Sequence, residues 1–181
     1  MYLSKCVGII SLLACSPVIS PISSVPARVI VKGQAGMKPC AVRPEHRQFD
    51  FWVGEWEVTS QGKQIAASSI QRIVEGCVIV ENYSQPNGYS GKSLSFFDAH
   101  LGKWRQTWAD SAGNVSEFVG AYTENAMRFE GESHLQDGRK VLRRMTLSSL
   151  GPDRVRQYSE RSTDGGKTWN VAYDFIYRRK Q

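Results

Sequence analysis

What the chain lacks narrows it first. No window carries a sustained 3.6-residue apolar period, which argues against a helical fold. Histidine is scarce, and His46, His100 and His134 show no ligand spacing, so no metal site is expected. Long cationic stretches are missing as well. The formal net charge of +6 comes from 23 Lys+Arg against 17 Asp+Glu spread along the chain. The basic runs are short, Arg143-Arg144 and Arg178-Arg179-Lys180, and read as solvated faces or a tail. Nucleic-acid binding asks for a cationic stripe or a reading motif, and neither is present. There is no G-x-S-x-G elbow or other nucleophile context. Internal repeats are absent, and so are the marks of a second domain. After the first segment no stretch approaches the ~20 apolar residues that a spanning helix needs.

What is present begins with a distinct leader. Met1 to Lys5 carries one positive charge, Cys6 to Leu13 is apolar, and no further charge occurs up to Ser24. An apolar run this short suits the h-region of an export signal. Residues 1–27 are therefore expected to be a signal peptide, with Val25-Pro26-Ala27 as the small-residue cleavage pattern. Leu12-Leu13-Ala14-Cys15 also resembles a bacterial lipobox, which would put a lipid anchor on Cys15. An uncleaved anchor is the third option. The expected location is exported, either periplasmic or secreted. Cys6 and Cys15 fall in the leader, which leaves Cys40 and Cys77. A pair in an oxidising compartment most simply forms a disulfide, the alternative being two buried free thiols.

Residues 28–43 hold Gly33, Gly36 and Pro39 without periodicity and read as a linker. Residues 44–51 could make a helical turn, with Pro44 in the first turn where its missing N–H costs nothing. A single β domain is expected over 44–181. Alternation begins at 52–60 and recurs at 65–74, 77–84, 93–97, 104–109, 115–122, 126–134, 140–147, 155–162 and 169–177. Turn chemistry such as Gln85-Pro86-Asn87-Gly88 and Gly151-Pro152-Asp153 separates these runs. About ten short strands at regular spacing predict an all-β fold, an antiparallel up-and-down meander closing into a barrel or sandwich.

Ser162-Thr163-Asp164-Gly165-Gly166-Lys167-Thr168-Trp169 fits the Asp-box pattern of sialidase propellers. Those proteins carry several copies on longer chains, so one copy here reads as a hairpin turn. Gly54-Glu55-Trp56 resembles the G-x-W opening of lipocalins and other calycins. There the tryptophan closes one barrel end and an arginine near the last strand lies over it, which points to Arg178. Phe49-Asp50-Phe51-Trp52-Val53-Gly54-Glu55-Trp56, Gly76-Cys77-Val78-Ile79-Val80-Glu81-Asn82, Trp104-Arg105-Gln106-Thr107-Trp108 and the Asp-box turn then occur in order. As a set, from about Cys40 to Arg179, they resemble a family of small exported bacterial proteins known as a domain of unknown function. The resemblance implies a calycin-like barrel and no established reaction. The haem-binding nitrobindins are a more distant likeness. Their axial histidine has no counterpart after His134, so no cofactor is expected.

Trp104, Gln106 and Trp108 share one strand face, Glu81 and Tyr83 another, and Arg156, Tyr158 and Glu160 a third. If these faces point inward, aromatics and a few polar groups line the barrel, which suits a small apolar or amphipathic ligand. The candidate ligand-binding residues are Trp56, Glu81, Tyr83, Trp104, Gln106, Trp108, Tyr158 and Glu160. A buried Glu81 or Glu160 would demand Arg144, Arg156 or a ligand as partner. Two other readings stay open. Glu81 or Glu160 could serve a small barrel enzyme as acid or base, or Trp and Tyr could fill a closed structural or protein-binding barrel.

Overall fold

The computed structural model describes residues 39–181. The expected leader and the lipobox cysteine lie outside the described residues. A single helical turn, α1 (Pro39–Val42), lies within the stretch read as linker. Two 3-10 turns follow, Pro44–Arg47 and Asp50–Trp52. Ten strands then run in order: β1 (Gly54–Ser60), β2 (Lys63–Ile73), β3 (Val78–Ser84), β4 (Ser90–Asp98) and β5 (Lys103–Asp110), then β6 (Val115–Thr123), β7 (Ala126–His134), β8 (Lys140–Ser149), β9 (Arg154–Ser162) and β10 (Asn170–Arg179). Each pairs antiparallel with its sequence neighbour, and β10 returns to β1, so the sheet is a closed barrel. Closure leaves no free sheet edge.

The burial pattern follows the pleat. On β1, Trp56 and Val58 are buried while Glu55 and Glu57 are exposed; on β7, Met127 and Phe129 are buried between exposed Arg128 and Glu130. A bulge between Val171 and Tyr173 shifts the β10 register against β9, and below it Tyr177 faces inward.

The chain before β1 plugs one end. Phe49 and Trp52 are fully buried; their rings stack at 5.0 Å, and Phe49 also meets Trp104 edge-on at 5.6 Å. Trp56 Nε1 donates to the Trp52 carbonyl at 2.8 Å, and Trp104 Nε1 donates to Gln48 Oε1 at 3.0 Å. The plug itself thus matches the N–H groups of Trp56 and Trp104, while the buried Trp52 Nε1 has no hydrogen-bond partner. Arg72 of β2 holds Asp50 in an ion pair. Cys40 and Cys77 form a disulfide with Cα atoms 4.9 Å apart, which ties α1 to the approach to β3.

The arginine over Trp56 is Arg179 and not Arg178. Its guanidinium carbon lies 4.3 Å from the ring centroid, and Nη1 donates to the Val53 carbonyl at 3.2 Å. Strand alternation explains the correction: Arg179 shares the inward side of Tyr177, whereas Arg178 is exposed opposite Glu57. Gly54 adopts φ +147°, and a Cβ there would run into the Arg179 guanidinium. The guanidinium, at the end of a flexible side chain, can give way, so the backbone angle is what calls for glycine two residues before the tryptophan.

The Asp-box segment is a turn, as expected. Asp164 accepts from Thr168 N at 3.0 Å, Thr168 Oγ1 at 2.6 Å and Ser162 Oγ at 2.7 Å. The Thr168 bonds lead in holding its carboxyl well below the usual range. Trp169 donates to the Gly166 carbonyl within the same turn and lies under Arg144 on the outer face.

Candidate functional site

At the end away from the plug, the barrel interior opens into a cavity of about 580 Å³. That is within the ~300–1,000 Å³ typical of small-molecule sites. Its wall combines Trp108, Tyr83 and Phe118 with Met145, Val141 and Phe175, and polar groups interrupt the apolar surface at several heights.

Glu81 is the buried carboxyl among these groups. Alternation along β3 turns Ile79, Glu81 and Tyr83 inward, and Glu81 is 3% exposed. Its Oε1 accepts from Ser68 at 2.9 Å and from the Tyr177 hydroxyl at 3.0 Å, and its Oε2 accepts from Ser93 at 3.2 Å. Burial pushes its carboxyl up to about 7, and the hydrogen bonds from Ser68, Tyr177 and Ser93 offset only part of that rise. The expected arginine partner is thus replaced by hydroxyls, which satisfy the lone pairs without neutralising the charge.

Polar groups continue from Glu81 towards β8. The Tyr177 hydroxyl lies 2.8 Å from Gln157 Oε1, and Gln157 Nε2 lies 3.5 Å from the Tyr173 hydroxyl. Burial raises the Tyr173 phenol, and the Arg143 guanidinium beside it pulls the other way. Near the mouth, Asp110 accepts from the Tyr89 hydroxyl at 2.8 Å, Trp108 Nε1 at 3.3 Å and the Asn114 backbone at 3.0 Å. Partial burial alone would raise the Asp110 carboxyl, but these bonds outweigh it and hold it low.

Of the candidates named from sequence, Glu81, Tyr83, Gln106 and Trp108 come together on this cavity. Gln106 Nε2 donates to Ser95 Oγ at 2.9 Å. Trp108 packs against Gly91, where any Cβ would strike the indole ring. Trp56 and Trp104 belong to the plugged end and do not line the cavity. Trp104 shares the strand face of Trp108, but four residues along a strand is about 13 Å, enough to move it from cavity to plug.

Tyr158 and Glu160 are a correction. β9 buries Val155, Gln157 and Ser159, so Arg156, Tyr158 and Glu160 take the outer face. There Arg156 lies over the Tyr158 ring at 4.9 Å and pairs with Asp174 through Nε and Nη2, both at 2.9 Å. Neither Arg144 nor Arg156 reaches the interior; the arginines that line it are Arg143 and, at its exposed mouth, Arg161. Reading Arg143-Arg144 as one solvated run overlooked that adjacent residues on a strand point to opposite sides. Tyr173, Tyr177 and Gln157 were also missed, although Tyr173, Phe175 and Tyr177 alternate visibly along β10.

Among the described residues no cluster of His, Cys, Asp and Glu could hold a metal ion, and no helix is long and apolar enough to cross a membrane. No family model matches the chain, and no curated protein does.

Proposed function

We propose that this chain is an exported barrel that binds a small amphipathic molecule in its open half. The observation that carries this reading is the cavity of about 580 Å³, where Trp108, Tyr83 and Phe118 face buried Glu81 and Gln106. A barrel serving stability alone has no need of a space this large. The apolar wall suits a chain or ring, and the polar groups can orient a head group. Export is the expected route for the leader, and the Cys40–Cys77 disulfide suits an oxidising compartment. The motif resemblance to small exported bacterial barrel proteins points the same way. Native mass spectrometry of protein purified without added ligand tests the reading. A bound small molecule, lost on denaturation, is the expected result; ligand-free protein that also fails to take up apolar probes would overturn it.

A second reading rests on Glu81. A buried carboxyl titrating at about 7, bonded to a tyrosine hydroxyl and lining the cavity, has the properties of a general acid or base. Incubating the protein with its recovered ligand separates the two. Unchanged ligand supports a binder; turnover abolished by Glu81→Gln supports an enzyme.

A further inference from the structure

We infer that Arg143 is an anion-holding group and that the cavity takes an amphipathic carboxylate, a proposal that rests on the binding reading above. On β8, Val141, Arg143 and Met145 face the cavity, while Arg144 turns outward to stack on Trp169 at 3.8 Å. A guanidinium cannot shed its proton, so an interior arginine keeps its charge and needs a counter-charge. The carboxylates that share the cavity are engaged elsewhere. Glu81 accepts from Ser68, Ser93 and Tyr177, and Asp110 from Tyr89, Trp108 and Asn114. Arg143 makes no ion pair among the described residues, and its buried Nε lacks a hydrogen-bond partner. The Tyr173 phenol meets the guanidinium, but it is a neutral group that burial keeps protonated, so it offers a hydrogen bond and no counter-charge.

The cavity therefore presents one uncompensated interior cation beside an apolar wall of Phe118, Val141, Met145 and Phe175. A carboxylate bound there would accept from the two terminal nitrogens of the guanidinium, in the forked geometry arginine favours. Its tail would lie along the apolar wall. Arg161, the register partner of Arg143 on β9, lines the exposed mouth and adds positive potential along the entry route. A monoanion matches the single interior charge.

Calorimetric titration of the protein, expressed as the full chain and purified, tests this with three probes of equal tail: decanoate, decan-1-ol and decyl phosphate, at pH 6. Decanoate should bind at least about tenfold tighter than decanol, a difference of ~1.4 kcal/mol. Arg143→Gln should erase that preference by lowering decanoate affinity to that of decanol, with an unchanged circular dichroism spectrum showing that the variant folds; Arg143→Lys should keep part of it. Equal affinity for decanoate and decanol in the native protein would overturn the anion site and leave the cavity reading standing. A preference that survives in Arg143→Gln would overturn the role of Arg143. Tighter binding of decyl phosphate than of decanoate would overturn the carboxylate. Failure of all three probes to bind would overturn the binding reading itself, and this proposal with it.

Discussion

At the plugged end of the barrel, Phe49, Trp52, Trp56 and Trp104 are packed ring against ring, each no more than 1% exposed. At the open end, Tyr83, Trp108, Phe118 and Phe175 are equally aromatic, and Trp108 shares β5 with Trp104, yet they surround space. The difference lies in what enters the barrel. The 3-10 turns at Pro44–Arg47 and Asp50–Trp52 feed rings into one end, and the disulfide holds the adjoining turn α1 to β3's approach. Nothing among the described residues fills the other end, where polar groups occupy the wall. Aromatic content alone does not distinguish a core from a binding site; the segment that inserts does.

The contrast is broken most severely at the plug. Trp52→Ala or Trp56→Ala should cost ~3–5 kcal/mol in urea unfolding, as large-to-small changes in packed cores do. Phe118→Ala, at the cavity wall, should cost less, because its neighbours already border open space. Removing the tether comes next. Cys40→Ser with Cys77→Ser should lower stability by ~4 kcal/mol on the chain-entropy account for a loop of this size. Its effect on probe binding at the open end should be small, measured on protein that remains folded.

Glu81 sharpens the contrast through pH. Its carboxyl titrates at about 7 in the folded protein and near 4.5 once exposed. The unfolded chain therefore releases this proton first, so stability should fall from about pH 4.5 to about pH 7 and then level. The total effect is on the order of 3 kcal/mol, from a shift of roughly two and a half units. Glu81→Gln should flatten that slope, as read by denaturation at a series of pH values. An unchanged slope in the variant would assign it to other groups. At the small end of the scale, Glu160→Gln on the outer face should move stability by no more than ~0.5 kcal/mol and leave probe binding untouched.

The strands were legible because alternation and turn residues agree along the chain; Ala126–His134 falls where the pattern puts it. Which face is inner was harder to read. On β3, the run Val78-Ile79-Val80-Glu81 left Glu81 among apolar neighbours, and its burial could be anticipated. On β9, the inner residues Gln157 and Ser159 are polar while Tyr158 is aromatic, so residue character pointed to the wrong side. Height along the barrel was not legible at all. Trp104 and Trp108 share a face, and only the position of Phe49 and Trp52 decides that one is plug and the other cavity. Arg143 was hidden by Arg144, since a pair of cations looks like solvent-facing charge until the strand separates them.

Tryptophan emission during titration with an apolar probe distinguishes plug from cavity, because the indoles at the two ends report on the two regions. Saturable quenching should persist in Trp104→Phe and be largely lost in Trp108→Phe. A titration that stays linear in probe, or saturable quenching that survives Trp108→Phe and vanishes with Trp104→Phe, would contradict a binding cavity at the open end.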